Sequence, residues 1–340
     1  MFGRRREKRS TFLPFVIFRL LLSLIIFAIL IGGLYSALGY FSGVDPLKID
    51  PKALVAVGLR VVRNPQFSID KLAKMDLNGF FSQGQSGNVI PADSLRDKPV
   101  SFSFLLVADS HNENNYLQKA LEQGKTKAKS LQFIIGLGDY TEVGTVSELV
   151  AAKKVFDSAG LRYFLTVGDH DLWDARDKAA QSPEVNFNKV FGQSYQSFVF
   201  KNVKFILMDN ADIYTGLSQD QLDWISRELK KARVDENARL VFGFIHAPLY
   251  HPSSDHTMGN VEPKLKDQAK LLITLLKNGG TDELFAADIH FFTRYQELGT
   301  KLNMTTLGAL ASAKNTQAPR YSIVTVYEDG SYGVEDVEIK

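Results

Sequence analysis

Carboxylate and imidazole side chains follow the predicted strands of this 340-residue chain at five places. Four of its six histidines are among them. Ligands of open α/β sheets bind at the carboxyl ends of strands, so these side chains are expected to share one crevice. Clustered Asp and His side chains are typical ligands of divalent metal ions. The predicted residues are Asp109 and His111, Asp139, Asp169 with His170 and Asp171, His246, and Asp288 with His290.

Each of these residues taken alone also has a purely structural explanation. An aspartate after a strand, such as Asp109, can form a turn, and Asp171 can cap the segment that follows it. A lone histidine such as His111 can be a hydrogen-bonded structural residue. The other two histidines, His251 and His256, lie in a polar loop and are predicted to be at the surface. Recurrence at five strand ends is what favours a metal site.

The elements that would position these residues alternate between strand and helix. Strands are predicted at 100–107, 132–135, 163–167 and 240–245, and helices at 116–130, 147–159 and 217–233. Hairpins are predicted where 198–200 pairs with 204–208 and where 321–327 pairs with 332–339. This alternation predicts an α/β fold in which a mixed or parallel sheet is covered by helices.

The N-terminal segment is basic and then apolar. Residues 1–11 hold four arginines and one lysine, and residues 12–41 carry no charge except Arg19. A membrane span needs about 20 apolar residues, so 12–41 is predicted to be a transmembrane signal-anchor helix. Basic residues before the span predict a cytoplasmic tail and an extracytoplasmic remainder. A cleaved signal peptide is the alternative, although its apolar region is usually only about 7–15 residues long.

Composition excludes several classes of chemistry. Cysteine is absent, which excludes disulfides, thiolate metal sites and cysteine nucleophiles. The hydrophobic fraction of 45% and charged fraction of 23% are those of a globular protein. The net charge is only +2, and no basic stripe indicates a nucleic-acid-binding surface. Residues 42–98 lack one strong pattern and are predicted to be a juxtamembrane spacer before a domain at 99–340.

Five short motifs occur in the order known from one enzyme superfamily. They are Asp109-Ser110-His111, Gly138-Asp139, Gly168-Asp169-His170-Asp171, His246 and Ala287-Asp288-Ile289-His290. From about residue 99 to 340, the chain resembles the calcineurin-like metallophosphoesterases, whose motifs read D-x-H, G-D, G-N-H-[DE], H and G-H-x-H. The resemblance implies a β-sandwich flanked by helices, in α/β/β/α layers. It also implies a hydrolase whose substrate is a phosphomonoester or phosphodiester, which the predicted anchor would place on the extracytoplasmic side of the membrane.

The resemblance further implies two divalent metal ions. One would be held by the residues that match Asp109, His111, Asp139 and His290. The other would be held by the residues that match Asp139, Asp169, His246 and Asp288, so that Asp139 bridges the two ions.

The second of these ligand sets departs from the family. Asp169 replaces the family asparagine, Asp288 replaces a histidine, and Ala287 replaces the preceding glycine. Both ligand replacements are carboxylates, which favour hard cations such as Mn²⁺ or Mg²⁺ over Zn²⁺. Manganese is therefore favoured among manganese, magnesium, zinc and iron. Glu142 stands where purple acid phosphatases have a tyrosine ligand, which argues against an Fe³⁺–tyrosinate site.

The same resemblance implies roles for the third motif. A metal-bridged hydroxide would attack phosphorus, and His170, which matches the family's catalytic imidazole, would protonate the leaving oxygen. Asp171 is expected to orient His170 through a hydrogen bond. Two alternatives stay open. One is a non-catalytic metal-binding or interaction module that kept the fold, and the other is a single-metal hydrolase with Asp169 as base. The sequence fixes neither the substrate nor the oligomeric state.

Overall fold

The computed structural model of the protein describes residues 98–340 except 181, 236, 237, 314 and 316. The predicted cytoplasmic tail, transmembrane helix and all but the last residue of the spacer lie outside this range. Between residues 98 and 340, no helix is both long and apolar enough to cross a membrane.

Strands and helices alternate along the described chain. In order, the elements are β1 (Val100–Val107), α1 (Asn114–Lys127), β2 (Leu131–Leu137), α2 (Val146–Ser158), β3 (Arg162–Thr166), α3 (Trp173–Asp177), α4 (Val185–Phe191), β4 (Gln196–Phe200), β5 (Val203–Leu207), α5 (Gln219–Val234), β6 (Leu240–Phe244), α6 (Lys266–Asn278), β7 (Glu283–Ala286), β8 (Thr293–Gln296), β9 (Asn303–Thr306), β10 (Arg320–Tyr327) and β11 (Tyr332–Glu338). Short 3₁₀ turns occupy His170–Leu172 and Pro263–Leu265.

Two mixed sheets form the centre of the fold. The first has the order β11-β10-β1-β2-β3, and the second has the order β4-β5-β6-β7-β9-β8. Strands β1, β2 and β3 are parallel, as are β5, β6, β7 and β9. The antiparallel pairs β4–β5 and β10–β11 confirm both predicted hairpins. Parallel strands place their carboxyl ends at one edge of each sheet, which is where the predicted polar residues begin.

Alternating side chains build the core. In β1, Phe102 and Phe104 face the second sheet, while Leu105 and Val107 pack among the residues of α1 and α2. Successive side chains of a strand point to opposite faces, and both sets are buried in β1, so this strand is covered on both faces. Helices α5 and α6 cover the outer face of the second sheet through residues such as Leu272. The layers are therefore helix, sheet, sheet and helix, which confirms the predicted α/β fold for this part of the chain.

Local sequence signals explain where some helices begin. Thr145 and Glu148 form a capping box at α2, in which each side chain accepts a hydrogen bond from the backbone of the other. Ser218 caps α5 by accepting a hydrogen bond from the backbone of Gln221. Helix α6 and strands β8 and β9 were not predicted as elements, and β7 was expected only as a strand end before Asp288, without bounds. Each of those strands has only four residues, too few for a periodic pattern to be recognised.

Candidate metal centre

The predicted residues converge at the carboxyl edge of both sheets. Asp109 and His111 follow β1, Asp139 follows β2, and Asp169 follows β3. His246 follows β6, and Asp288 and His290 follow β7, so both sheets contribute to the same place. Of the nine predicted residues, all except Asp171 belong to clusters whose ligand atoms lie within 4.8 Å of one another.

One cluster, here called the first ligand group, consists of Asp109, His111, Asp139 and His290. The Nε2 atom of His111 lies 3.4 Å from Nε2 of His290 and 3.5 Å from Oδ2 of Asp139. Two ligand atoms that bind one ion at about 2.1 Å are about 3.0–3.4 Å apart. The spacing of these nitrogen and oxygen atoms therefore fits a shared divalent ion.

The carboxylate of Asp109 points to the same conclusion. The residue is fully buried, and one oxygen, Oδ1, accepts a hydrogen bond of 3.4 Å from the backbone N–H of Asp288. The other oxygen, Oδ2, has no hydrogen-bond partner among the described residues. A buried carboxylate oxygen without a partner is costly, and a cation removes that cost.

The second ligand group consists of Asp169, His246 and Asp288. Buried His246 places Nε2 3.5 Å from Oδ1 of Asp169 and 3.5 Å from Oδ1 of Asp139. Its Nδ1 donates a hydrogen bond of 2.6 Å to the carbonyl of Leu137, which leaves the Nε2 lone pair of the neutral ring available. Nε2 itself makes no hydrogen bond within the described part of the chain. This nitrogen is thus prepared to bind a metal ion.

Asp139 links the two ligand groups. Its Oδ2 faces His111 of the first group, and its Oδ1 faces His246 of the second and accepts a hydrogen bond of 3.0 Å from the N–H of His170. Gly168 makes this arrangement possible, because a Cβ there would lie 2.1 Å from Oδ1 of Asp139. The glycine of the third motif is therefore needed for the close approach of two loops.

The backbone of the centre is strained. Five of the predicted ligands adopt the left-handed conformation, which is uncommon for residues other than glycine. Such strain persists only where the surrounding structure enforces it, and it is concentrated at functional sites. The residues are Asp109 (φ 54°), His111 (φ 41°), Asp139 (φ 54°), Asp288 (φ 69°) and His290 (φ 57°).

The buried carboxylates of the centre need a nearby positive charge to compensate for their lost hydration. Burial raises the pKa of Asp109 and raises that of Asp139 well above its usual range, because a charged carboxylate loses its hydration. Burial also acts to raise the pKa of Asp169, but the nearby imidazole of His246 lowers it overall. Burial acts to lower the pKa of His246, but the nearby carboxylates, above all that of Asp139, raise this pKa well above its usual range overall. A divalent ion would supply the same compensation more strongly.

The imidazole of His170 lies beside the first ligand group. Its Nδ1 donates a hydrogen bond of 2.7 Å to the carbonyl of Glu142, and its ring stacks on Trp173 with centroids 3.8 Å apart. The ring of His111 is 4.6 Å away, edge to face. These contacts hold the His170 ring in place and leave its Nε2 for another partner.

The structure corrects the predicted role of Asp171. Its buried carboxylate accepts hydrogen bonds from the backbone and hydroxyl of Thr141, at 3.1 and 2.7 Å, and from the backbone of Gly168, at 3.0 Å. The ring of His170 is instead fixed by a carbonyl oxygen. Burial raises the pKa of Asp171 to about 6, against the lowering effect of these hydrogen bonds. Asp171 therefore ties the loop after β2 to the loop after β3.

The prediction that His251 lies at the surface was wrong. The residue is only 6% exposed, and its ring packs edge to face on Phe291 and Tyr295. His256 is half exposed, with 52% of its side chain accessible, but its Nε2 lies 3.0 Å from Oδ1 of Asp288. This hydrogen bond is the main cause of the raised pKa of His256. No local signal in the sequence reveals either contact.

Two further residues of the centre were not predicted. Buried Asn210 accepts hydrogen bonds from the backbone of His246 and Ala247, at 3.0 and 3.1 Å, and so fixes the loop that carries His246. Glu142 lies at the rim, with its Oε2 3.6 Å from Nδ1 of His111. Glu142, His111 and His170 form a further cluster of possible ligands.

Comparisons with known proteins support the same fold. A family model described as calcineurin-like phosphoesterase matches residues 102–292, more than half of the chain. No curated protein is significantly similar to the sequence. Among solved structures, the purple acid phosphatase PPD1 of yellow lupin (Lupinus luteus) is 11% identical, with a TM-score of 0.52. That match covers 70% of this chain and 51% of the lupin chain, so this chain spans about half the length of the lupin enzyme.

Two further structures match over similar lengths. GAP50 of Plasmodium, described as the anchor in the inner membrane complex, is 12% identical, with a TM-score of 0.47, over 71% of this chain and 90% of that one. TT1561 of Thermus thermophilus is 13% identical, with a TM-score of 0.45, over 70% of this chain and 99% of that one.

Proposed function

Because this chain belongs to the calcineurin-like phosphoesterase family, we propose that it hydrolyses a phosphomonoester or a phosphodiester with two divalent metal ions. The observation that carries the proposal is the position of Asp139 between two ligand groups, with one oxygen facing His111 and the other facing His246. A carboxylate shared in this way is what a two-metal phosphoesterase requires.

The residues present fit such a metal pair. The first ligand group would hold one ion, and the second group together with Asp139 would hold the other. When bound, the ions supply Lewis-acid stabilisation of the phosphate charge and generate a nucleophile at neutral pH. Asp139, Asp169 and Asp288 would provide three carboxylate ligands for the second ion, a ligand set that favours Mn²⁺ or Mg²⁺.

His170 is the proposed proton donor. Its Nδ1 is occupied by the carbonyl of Glu142, so Nε2 is the atom that exchanges a proton with the leaving oxygen. The stacked ring of Trp173 limits rotation of the imidazole and keeps Nε2 in one direction. Asn210 fixes the loop that carries His246, and the missing side chain of Gly168 allows the loop that carries Asp139 to approach closely.

The experiment is a hydrolysis assay on the full-length protein, purified in mild detergent. Its substrates are p-nitrophenyl phosphate and bis(p-nitrophenyl) phosphate, each with Mn²⁺, Mg²⁺, Zn²⁺ or a chelator. Activity should require metal, and His170→Ala should lower kcat by about 10²–10⁴-fold, the usual contribution of a general acid. Lys154→Ala on the exposed side of α2 is the control. A folded protein that binds metal and hydrolyses neither ester would favour the non-catalytic module.

For the location of the domain, the N-terminal sequence supports a separate proposal. Residues 12–41 would anchor the chain in a membrane, with the basic tail in the cytoplasm and residues 99–340 outside. Protease added to intact cells should remove a C-terminal tag from the full-length protein and leave an N-terminal tag protected. Protection of both tags would refute an extracytoplasmic domain. Release of a shortened protein into the medium would indicate a cleaved signal peptide.

A further inference from the structure

The contact between His256 and Asp288 lies where the sequence departs from its family. Asp288 belongs to the second ligand group, in the place of a family histidine, and its side chain is largely buried. One of its oxygens, Oδ1, lies 3.0 Å from Nε2 of His256, a residue 32 positions earlier in the chain. The histidine comes from the β6–α6 loop, defined here as residues 245–262. Asp288, which stands in the place of the family histidine, is thus contacted by an imidazole from another part of the chain.

The β6–α6 loop is anchored on both sides of His256. Met258 is buried in the core beneath α5 and α6, and its N–H donates a hydrogen bond of 2.8 Å to the carbonyl of Pro248. Gly259, with φ of +85°, lies so close to α6 that a Cβ there would be 2.7 Å from the Cα of Lys266. On the other side, the hydroxyl of Tyr295 donates a hydrogen bond of 2.6 Å to the carbonyl of Tyr250. The position of His256 is therefore set by the fold.

We propose that His256 is a positioning residue for Asp288 and thereby sets the affinity of the second ligand group for its metal ion. The proposal rests on the proposed two-metal function. A carboxylate has two oxygens, and a hydrogen bond to one of them fixes the plane of the group while the other oxygen remains available as a ligand. Asp139, Asp169 and Asp288 also repel one another, and an N–H donated to Asp288 reduces that repulsion.

Titration of the metal-free full-length protein with Mn²⁺ tests this proposal, read by calorimetry and by electron paramagnetic resonance of the coupled ion pair. In His256→Ala, one of the two ions should bind about 10–100-fold more weakly, the usual loss when the partner of a ligand is removed, while the other keeps its affinity. His256→Gln, which retains an N–H donor, should recover most of the loss. Asp255→Ala, at an exposed position of the same loop, should bind both ions as the unchanged protein does.

Three results would overturn the proposal. Unchanged affinities in His256→Ala would show that Asp288 needs no partner. An equal loss in His256→Ala and His256→Gln would show that the imidazole itself is required, as a ligand would be. Fewer than two ions in the unchanged protein would remove the second site altogether. Failure of the proposed function alone looks different, because two ions would bind and no phosphate ester would be hydrolysed. Equal melting temperatures of the metal-free variants would confirm that the loop remains folded.

Discussion

Replacing Asp139 by asparagine should stabilise the metal-free protein against thermal unfolding and destabilise the metal-bound protein. Asp139 is buried, and burial raises its pKa well above the usual range despite the nearby His246. In the metal-free protein its charge is therefore a cost at neutral pH, whereas in the proposed two-metal centre it would be the ligand that both ions share. The asparagine side chain keeps the shape and one acceptor oxygen for the N–H of His170 but carries no charge.

The expected magnitudes follow from burial and from binding. Removing a poorly compensated buried polar group recovers about 1–3 kcal/mol. For a domain of this size, that amount raises the melting temperature by about 2–12 °C. Each ion at 100 times its Kd stabilises the folded state by about 2.7 kcal/mol. Two ions should therefore raise the melting temperature of the unchanged protein by about 10–20 °C, and Asp139→Asn should lose most of that gain.

The assay is thermal unfolding of the full-length protein with chelator and with saturating Mn²⁺. Without metal, Asp139→Asn should melt at a higher temperature than the unchanged protein, and with Mn²⁺ the order should be reversed. The raised pKa of Asp139 also predicts that the stability difference between the two metal-free proteins depends on pH. An acid whose folded pKa is raised contributes stability below its unfolded pKa and loses it as the pH rises towards the folded pKa. The advantage of the metal-free variant should accordingly vanish near pH 3–4 and grow on the way to neutral pH.

Asp223→Asn, the same change at an exposed position of α5, is the control and should shift neither melting temperature appreciably. A metal-free Asp139→Asn protein that melts below the unchanged protein at pH 7 would refute the claim that the buried charge is a cost. An equal Mn²⁺ gain in both proteins would refute the claim that Asp139 binds the ions.

Three further outcomes are expected. Gly168→Ala should abolish high-affinity Mn²⁺ binding in calorimetry, because the Cβ of the alanine would lie 2.1 Å from Oδ1 of Asp139. Undiminished binding would contradict the inference that the loops after β2 and β3 must approach this closely. Burial raises the pKa of Asp209 to about 7, so this carboxyl should cost the protein about 3 kcal/mol of stability in denaturant unfolding between pH 4 and 7. Asp209→Asn should remove this contribution from the pH profile, and a profile parallel to that of the unchanged protein would contradict it. Phe104→Ala, between the sheets, should cost about 3–5 kcal/mol in the same unfolding assay, and a loss below about 1 kcal/mol would show a core able to collapse around the gap.

Much of the fold could be predicted from the sequence because its signals are local. The β-rich run at residues 100–107 predicts a strand, and the structure places Phe102 and Phe104 on one face and Leu105 on the other. The capping signal at Thr145 marks the start of α2. Strands of four residues carry no such periodic signal, which is why β8 and β9 become visible only through their pairing in the sheet.

The sequence by itself predicted which ligand types come together, because the polar residues follow successive strands whose carboxyl ends meet at one edge of the fold. The contacts that hold the residues in and around the centre were decided only by the tertiary structure. Asp171 binds Thr141 rather than His170, buried His251 packs on Tyr295, and His256 reaches Asp288 across 32 residues. Such contacts depend on how loops from separate elements close on one another. A pattern of residue types along the chain specifies the face on which a residue lies but does not identify the partner that it meets there.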